Sequence, residues 1–378
     1  MKSINGFSRV FARLFLSAAF LLTVVAGFVS PVAAGNNDNG SVYTLSNAAA
    51  GNAVVAYTRA SNGKLSFKAQ YPTGGLGSGA GLGSQGSLVM TDDNRWLLAV
   101  NAGSNQISVF GVKPSGLSLV DVADSNGEMP VSLTVHDQTV YVLNEGGSGN
   151  ISGFSLDHHG KLTGLPGSTQ NLSNGGVGAA PGGAEIAFSP DGDNLVVTEK
   201  ATNLIDTFRV RHGIASPAAT HASSGATPFG FAFSPRGTMV VSEAFGGAPG
   251  ASALSSYRVH ENQFSVISPS VGTTQTAACW VAISNNGKFA FDTNAGSATI
   301  SSYTISKNGS LSLLNATAGS TGAGSSPIDM AFSDNGAFLY ALGGASHTIS
   351  AFRMQSDGSL VAIGTFNVPA GSVGLAAR

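Results

Sequence analysis

The tetrapeptide Ile349-Ser350-Ala351-Phe352 is the seventh appearance of one short phrase, which reads apolar, small, any residue, aromatic. The earlier six are Val54-Val55-Ala56-Tyr57, Ile107-Ser108-Val109-Phe110, Ile151-Ser152-Gly153-Phe154, Ile205-Asp206-Thr207-Phe208, Leu254-Ser255-Ser256-Tyr257 and Ile300-Ser301-Ser302-Tyr303. A strand-like phrase that returns about every 50 residues is the signature of a repeat architecture, and this period suits the four-stranded blade of a β-propeller.

Each repeat supplies the other three strands around this phrase. A first apolar strand ends in a hydroxyl residue, as in Ile186-Ala187-Phe188-Ser189 and Met330-Ala331-Phe332-Ser333. A turn of Asp, Asn and Gly follows, such as Pro190-Asp191-Gly192 or Asp334-Asn335-Gly336, residues that accept turn geometry without strain. The second strand comes next, as in Trp96 to Val100 or Phe338 to Leu342. The phrase itself is the third strand, and the fourth opens after a Gly turn, as in Gly160-Lys161-Leu162 and Gly358-Ser359-Leu360. Short runs between turn signals, with no amphipathic helical pattern, predict an all-β chain. The first repeat starts at Ser41-Val42-Tyr43, a second strand, while the chain ends on Val373-Gly374-Leu375-Ala376, a lone first strand. The expectation is a seven-bladed β-propeller of four-stranded blades in which the C-terminal strand completes the N-terminal blade and removes an open sheet edge.

Residues 1–34 are set apart from this domain. Lys2, Arg9 and Arg13 precede the apolar run Leu14 to Val29, and Pro31-Val32-Ala33-Ala34 offers small residues for cleavage, the pattern of a secretory signal peptide. The run is short for a membrane span, so no stable span is expected after cleavage. The domain then covers residues 35–378, and loss of the leader takes the formal net charge from −2 to −5. No Lys/Arg cluster suggests nucleic acid. The lone Cys279 sits in the apolar run Ala278 to Ile283 and reads as a small buried hydrophobe. An exported monomer is expected.

The order Phe188-Ser189-Pro190-Asp191-Gly192, apolar strand, Thr198-Glu199 or Asn144-Glu145, Ile-Ser-x-Phe, then Gly358-Ser359-Leu360 resembles the seven-bladed lactonase family, over residues 41 to 378. That family includes bacterial 6-phosphogluconolactonase and fungal carboxymuconate cyclase, and in style it overlaps with surface propellers of the Tyr-Val-Thr-Asn repeat type. The resemblance implies hydrolysis of a lactone or carbohydrate-derived ring. Enzymes of the family carry Pro-Arg-His at the start of a first strand; here those stretches read Gly183-Ala184-Glu185, Pro228-Phe229-Gly230 and Pro327-Ile328-Asp329. The glutamate at the end of the second strand is kept as Glu145, Glu199 and Glu243.

Stacking the repeats places equivalent positions on one face around the axis. Second-strand ends give Asn47, Asn101, Glu145, Glu199, Glu243, Asn294 and Gly343; first-strand starts give Ser87, Ser132, Glu185, Gly230, Trp280, Asp329 and Val373. Crowded carboxylates raise one another's pKa, and a carboxylate near working pH can act as a general base. Glu199, Glu243 and Glu185 are therefore the expected catalytic residues, with Asn101, Glu145, Trp280, Asp329 and Asn294 as substrate-binding residues. The alternative is that these Asn and Glu side chains satisfy turn backbones and inter-blade contacts. Oxygen ligands of this kind also suit Ca²⁺, but no Ca²⁺ loop pattern is present, and the expectation is no metal and no cofactor. The mouth holds few cations, chiefly Lys200, with Arg378 a second candidate, so a neutral lactone is expected rather than a phosphorylated one. Two functions fit: an exported lactonase-like hydrolase, or a non-catalytic binding propeller for a cell-surface, carbohydrate or protein partner.

Overall fold

The computed structural model describes residues 39–260 and 263–378, which are almost entirely β-strand. The leader proposed for residues 1–34 lies outside the described residues. Among the described residues the one helical element is a single 3-10 turn, Phe245–Gly247, and no helix is long and apolar enough to cross a membrane.

Seven antiparallel sheets follow one another along the chain. Blade 1 joins the C-terminal strand Val373–Ala377 to Gly40–Leu45, Ala53–Arg59 and Leu65–Pro72. The inner strands of blades 2 to 7 are Leu88–Met90, Pro130–His136, Gly183–Phe188, Pro228–Phe233, Ala278–Ile283 and Pro327–Phe332. These strands touch one another in a closed cycle, blade 7 meeting the C-terminal strand of blade 1 and that strand meeting blade 2. The expected seven-bladed architecture and its closure by the C-terminal strand are both observed.

The phrase that revealed the repeat is explained by its place between two neighbouring blades. Both faces of a third strand are covered, so its residues are buried in succession instead of alternating with polar ones. The aromatic residue is fully or nearly fully buried in all seven copies, at Tyr57, Phe110, Phe154, Phe208, Tyr257, Tyr303 and Phe352. Where that residue is tyrosine the hydroxyl reaches the preceding blade: Tyr57 donates to Asn367 O (2.8 Å) and Tyr303 to Val271 O (2.9 Å). In blades 2, 4, 5, 6 and 7 the hydroxyl that ends the inner strand caps the following turn. Ser189 Oγ accepts from Asn194 N (3.1 Å), Ser284 Oγ from Phe289 N (3.0 Å) and Ser333 Oγ from Phe338 N (3.1 Å). These turns mark the lower face; inner strands begin, and second strands end, at the upper face.

Blades 3 and 4 depart from the pattern. Their outer strands are broken into Leu162–Gly164 with Gln170–Asn171 and Ile214–Ala215 with Ala219–Ala222. Pro166 and Pro217 lie in the breaks, where a residue without an N–H cannot continue the ladder.

Closure is tight. Val42, Tyr43 and Leu45 pair with Ala377, Ala376 and Val373, and Ser41 and Arg378 exchange backbone bonds of 3.1 and 2.9 Å. Arg59, 2% exposed, donates through Nε to Arg378 O (3.2 Å) and lies 5.3 Å from the Phe338 ring of blade 7. A Cβ on Gly40 would fall 1.8 Å from Arg378 O, so only glycine fits there. This also corrects one expectation: Arg378 stands at the lower face, at the far end of its strand from the mouth. Deleting residues 372–378 would leave Gly40–Leu45 as an exposed edge. Calorimetry of that truncation is expected to show Tm reduced by on the order of 10 °C, with concentration-dependent aggregation.

Candidate active site

Pairing fixes which residues share a level at the upper face. Ser132, Glu185 and Asp329 pair with Leu143, Thr198 and Leu342, and Val373 pairs with Leu45. Ser87 accepts a backbone bond from Val100, and Trp280 N donates to Thr293 Oγ1 (3.2 Å). With Gly230, these form the ring expected from the repeats.

The side chains of this ring reach sideways to the next blade. Ser132 Oγ accepts from Ile186 N (3.1 Å), and Glu185 Oε2 accepts from Phe231 N (2.5 Å). Asp329 Oδ1 accepts from Met330 N (2.7 Å), and the Leu375 N–H of blade 1 also lies close to its carboxyl. Burial holds the Glu185 carboxyl far above the ordinary range and Asp329 at about 8, against the pull of these N–H groups. Glu185, named from sequence as catalytic, and Asp329, named as substrate-binding, are thus placed as ties between inner strands.

At Gly230 there is no side chain, and the gap is filled by Gln85. Its Oε1 accepts from Val281 N (3.1 Å) and its Nε2 donates to Val281 O (2.9 Å); a Cβ on Gly230 would lie 2.2 Å from that Oε1. Gln85 belongs to a glycine-rich segment, Thr73 to Ser87, that leaves the outer strand of blade 1 and crosses the mouth. Gln85 N donates to Ala184 O (3.0 Å), Ser84 Oγ to Val131 O (2.8 Å), Trp280 Nε1 to Ser84 O (3.1 Å) and Lys200 Nζ to Gly83 O (2.7 Å). One loop therefore meets blades 3, 4 and 6, and it stoppers the axis. Under it lies a cavity of about 270 Å³ lined by Gly81, Leu82, Gly83, Ser84, Trp280, Ile328 and Val373. Sequence reasoning missed this loop because its alternation of glycine with small residues carries no period; the signal was its length between two strands.

The second-strand ends divide into two groups. Register makes Asn101, Asn144, Glu199, Glu243, Asn294 and Gly343 equivalent, since they pair with Gln106, Asn150, Leu204, Ala253, Thr299 and Thr348. In blade 3 the equivalent residue is thus Asn144, and Glu145 lies one further; in blade 1, Ser46 replaces Asn47, because Leu45 pairs with Val54. Aligning by residue type instead of by pairing shifts the position by one, which moves the side chain to the opposite face.

The first group is sealed. Asn101 Nδ2 donates to Ser108 Oγ (2.7 Å) and Asn294 Nδ2 to Ser301 Oγ (2.9 Å), in each case the serine of the repeated phrase. Glu243 accepts from Gly225 N (2.8 Å), Ser270 Oγ (2.6 Å) and the Ser255 hydroxyl. Glu199 accepts from Ser173 N (3.0 Å), Ser173 Oγ (2.5 Å) and Thr202 Oγ1 (2.6 Å). All four residues are 0% exposed.

Glu145 is different. It is half-buried, and its Oε2 has no hydrogen-bond partner. Burial pushes its carboxyl up to about 7, opposed by the Lys200 ammonium and the Gly183 N–H and assisted by the Glu199 charge. Burial pushes Lys200 down, while Glu145 holds it up. Two of the three Lys200 donors go to Gly83 O and Gly183 O (3.1 Å), and its ammonium sits 5.1 Å from the Phe229 ring, which lies 5.0 Å from Trp280. Glu145, Lys200, Phe229 and Trp280 thus gather beside the stopper, and of these Trp280 also lines the cavity. An acid that titrates near neutrality beside a cation and an aromatic wall can take a proton from water and stabilise negative charge.

Of the remaining candidates, Cys279 is buried, and burial pushes its thiol far up, so it packs as a small hydrophobe. Among the described residues no group of three or more His, Cys, Asp or Glu side chains has metal-binding geometry.

The sequence profile described as "Lactonase, 7-bladed beta-propeller" matches residues 36–171, 136–244 and 252–374. No curated protein gives a significant match. Among solved structures, a protein of Bacteroides uniformis provisionally named a 6-phosphogluconolactonase superposes with a TM-score of 0.68 at 18% identity, covering 90% of this chain and 99% of its own. The Pseudomonas aeruginosa periplasmic gluconolactonase superposes with a TM-score of 0.63 at 16% identity, covering 89% and 98%. At these identities the likeness is one of fold.

One buried acid pair carries a stability consequence. In blade 4 the phrase has Asp206 where most blades have serine, and both Asp206 oxygens lack a donor while Glu199 lies beside them. Burial and the Glu199 charge raise its carboxyl to about 8, so at neutral pH it keeps its proton beside Glu199, in the place from which Ser255 of blade 5 donates to Glu243. A raised folded-state pKa gives stability that is complete below the unfolded pKa and is lost as pH climbs through the folded value. Thermal melts of Asp206→Ser are expected to show Tm raised by roughly 2–5 °C at pH 9 and little changed at pH 5.

Proposed function

The chain belongs to the seven-bladed β-propeller lactonase family, and from that premise we propose that it hydrolyses a small neutral lactone of the sugar type, with Glu145 as general base. The observation that carries this is the Glu145 carboxylate: half-buried, one oxygen unpartnered, titrating at about 7 and facing Lys200. The assignment departs from the sequence expectation of Glu199, Glu243 and Glu185, because those carboxylates already spend their oxygens on backbone and hydroxyl donors.

The reaction needs one water. Glu145 takes a proton from it as its oxygen bonds to the lactone carbonyl carbon. Negative charge gathers on the former carbonyl oxygen, beside the Lys200 ammonium. Collapse of this intermediate breaks the bond to the ring oxygen, and protonated Glu145 returns its proton to that leaving oxygen. The product is the open hydroxy acid. Phe229 and Trp280 offer flat apolar surface to the carbon-bound hydrogens of a ring.

A neutral substrate agrees with the charge at the mouth, where Lys200 is already balanced by Glu145 and a phosphate would lack a second cation. The signal-like leader supports the same reading, since an exported enzyme is separated from cytoplasmic sugar phosphates. The periplasmic gluconolactonase of similar fold makes aldonolactones the first substrates to assay.

The test is proton release from aldono-1,5-lactones by the mature protein. Glu145→Gln is expected to lower kcat/KM by roughly 10²–10⁴-fold with an unchanged melting curve. The wild-type profile of kcat/KM should fall as pH drops below about 7, because only the deprotonated base works, and this limb should vanish in the variant. Glu199→Gln and Glu243→Gln should do the reverse, losing Tm while keeping most activity per folded molecule. Full activity in Glu145→Gln would refute the assignment.

A further inference from the structure

The cations that the upper mouth lacks gather at the lower face, under blades 5 and 6. A cavity of about 270 Å³ there is lined by Arg236 and Arg258 of blade 5 and Lys307 of blade 6, with His260, Asn308 and, from blade 4, Asp191. Two neighbouring blades thus bring three permanent cations to one cleft, in a chain with a formal net charge of −2 and charged residues at only 10%. Among the described residues one carboxylate lines the cleft, and it is engaged elsewhere: Asp191 Oδ1 accepts from Ser189 Oγ (2.5 Å) and Asp193 N (3.1 Å). The side chains of Arg258 and Lys307 form no ion pair or hydrogen bond among the described residues, whereas Arg95 on the same face has Asp93 at 4.0 Å.

The frame holds these groups in place. Arg236 spends one of its five donors, Nη2, on Gly287 O of blade 6 (2.8 Å). Arg258 pairs across the ladder with Thr238, which also lines the cleft. Lys307 stands on a turn that Ser256 Oγ of blade 5 grips through Gly309 O (2.8 Å). Gly309 has a φ of +92°, and a Cβ there would lie 2.7 Å from the Ile267 side chain, so the turn is seated flush against blade 5. Like charges held together without a counter-charge repel one another, and a bound anion removes that cost. We propose that this cleft binds the phosphate group of a phosphorylated sugar or polyol.

Two guanidinium groups and an ammonium suit a dianionic phosphate, the arginines through paired N–H···O bonds and the lysine as a point charge. The cleft has the volume of about nine waters at ~30 Å³ each, more than a bare phosphate fills. Its other polar atoms suit hydroxyl groups. Asp191 Oδ2 is an acceptor without a donor among the described residues. Asn308 turns its Oδ1 to Ser310 N (3.2 Å) and Ser310 Oγ (2.9 Å), which leaves its Nδ2 as a donor. An acceptor and a donor beside the cations favour an ester that carries hydroxyls over inorganic phosphate. The cleft lies on the face away from Glu145, and the proposal does not rest on the lactonase reading.

The test is isothermal titration calorimetry of the purified protein with glucose 6-phosphate, glycerol 3-phosphate, inorganic phosphate and glucose, at physiological ionic strength so that contacts and not the distant field are read. The two esters are expected to bind more tightly than inorganic phosphate, and glucose not at all. Arg258→Gln and Lys307→Gln should each raise the Kd for glucose 6-phosphate by roughly ten-fold, the loss of one charge-assisted contact. Neither should lower Tm, because neither side chain has a partner in the fold to lose. Lys113→Gln removes a cation of blade 2, outside the cleft, and should leave the Kd unchanged. If neither ester binds, or if Lys113→Gln weakens binding as much as Arg258→Gln does, the cleft is not a site and the proposal fails. If inorganic phosphate binds as tightly as the esters, the assignment to a phosphorylated sugar or polyol is overturned.

Discussion

Every sheet in this molecule turns one edge toward the axis. The inner strands present backbone N–H and C=O groups there with no further strand to pair with, and buried edge groups left unpaired would each cost a sizeable part of the net stability. Side chains answer this demand blade by blade. Ser132 serves Ile186, Glu185 serves Phe231, and the hydroxyl of Ser242 serves the carbonyls of Gly230 (2.9 Å) and Cys279 (2.7 Å). Where the ring has only glycine, Gln85 arrives from another blade to do the same for Val281. The loop that closes the mouth thus supplies partners that the ring lacks, and a cavity remains where it does not fill the space.

The same demand sorts the carboxylates. With charged residues at only 10% of the sequence, a buried acid rarely meets a cation and must find donors or keep its proton. Glu199 and Glu243 have donors on both oxygens; Asp206 and Asp329 are held as neutral acids in the mildly alkaline range or below it. Glu145 has neither solution. It keeps one oxygen without a donor and shares its field with a lysine, which is the condition under which a carboxyl group titrates near neutrality and is available for chemistry.

The architecture was legible because it is written seven times. Each copy of the phrase repeats the same burial between blades, and the missing first strand at Ser41 together with the surplus strand at Val373 already implied closure. The ring of first-strand starts was legible for the same reason. The site was less so. Glu145, Glu199 and Glu243 look alike in sequence, yet a single extra position separates the first from the other two, and in a strand one position is the difference between opposite faces. Lys200 and Trp280 were visible, but Phe229 and the reach of Gln85 depend on contacts across as many as 196 residues of chain, which no local pattern records.

The position of Glu145 also shows how a repeat protein can gain a site without losing its frame. Asn144 keeps the structural duty of its column, donating through Nδ2 to Asn150 Oδ1 (2.8 Å) as Asn101 and Asn294 donate to their serines. The next residue is then free of that duty, since a strand end already capped needs nothing more from it. An acid placed there in another blade would face its own local surroundings; in blade 3 it faces Lys200 of blade 4 across the start of the Gly183 strand. The proposed chemistry therefore belongs to a junction between two repeats, where a residue beyond the repeated hydrogen-bond pattern meets a lysine whose own acceptors are backbone carbonyls at the mouth.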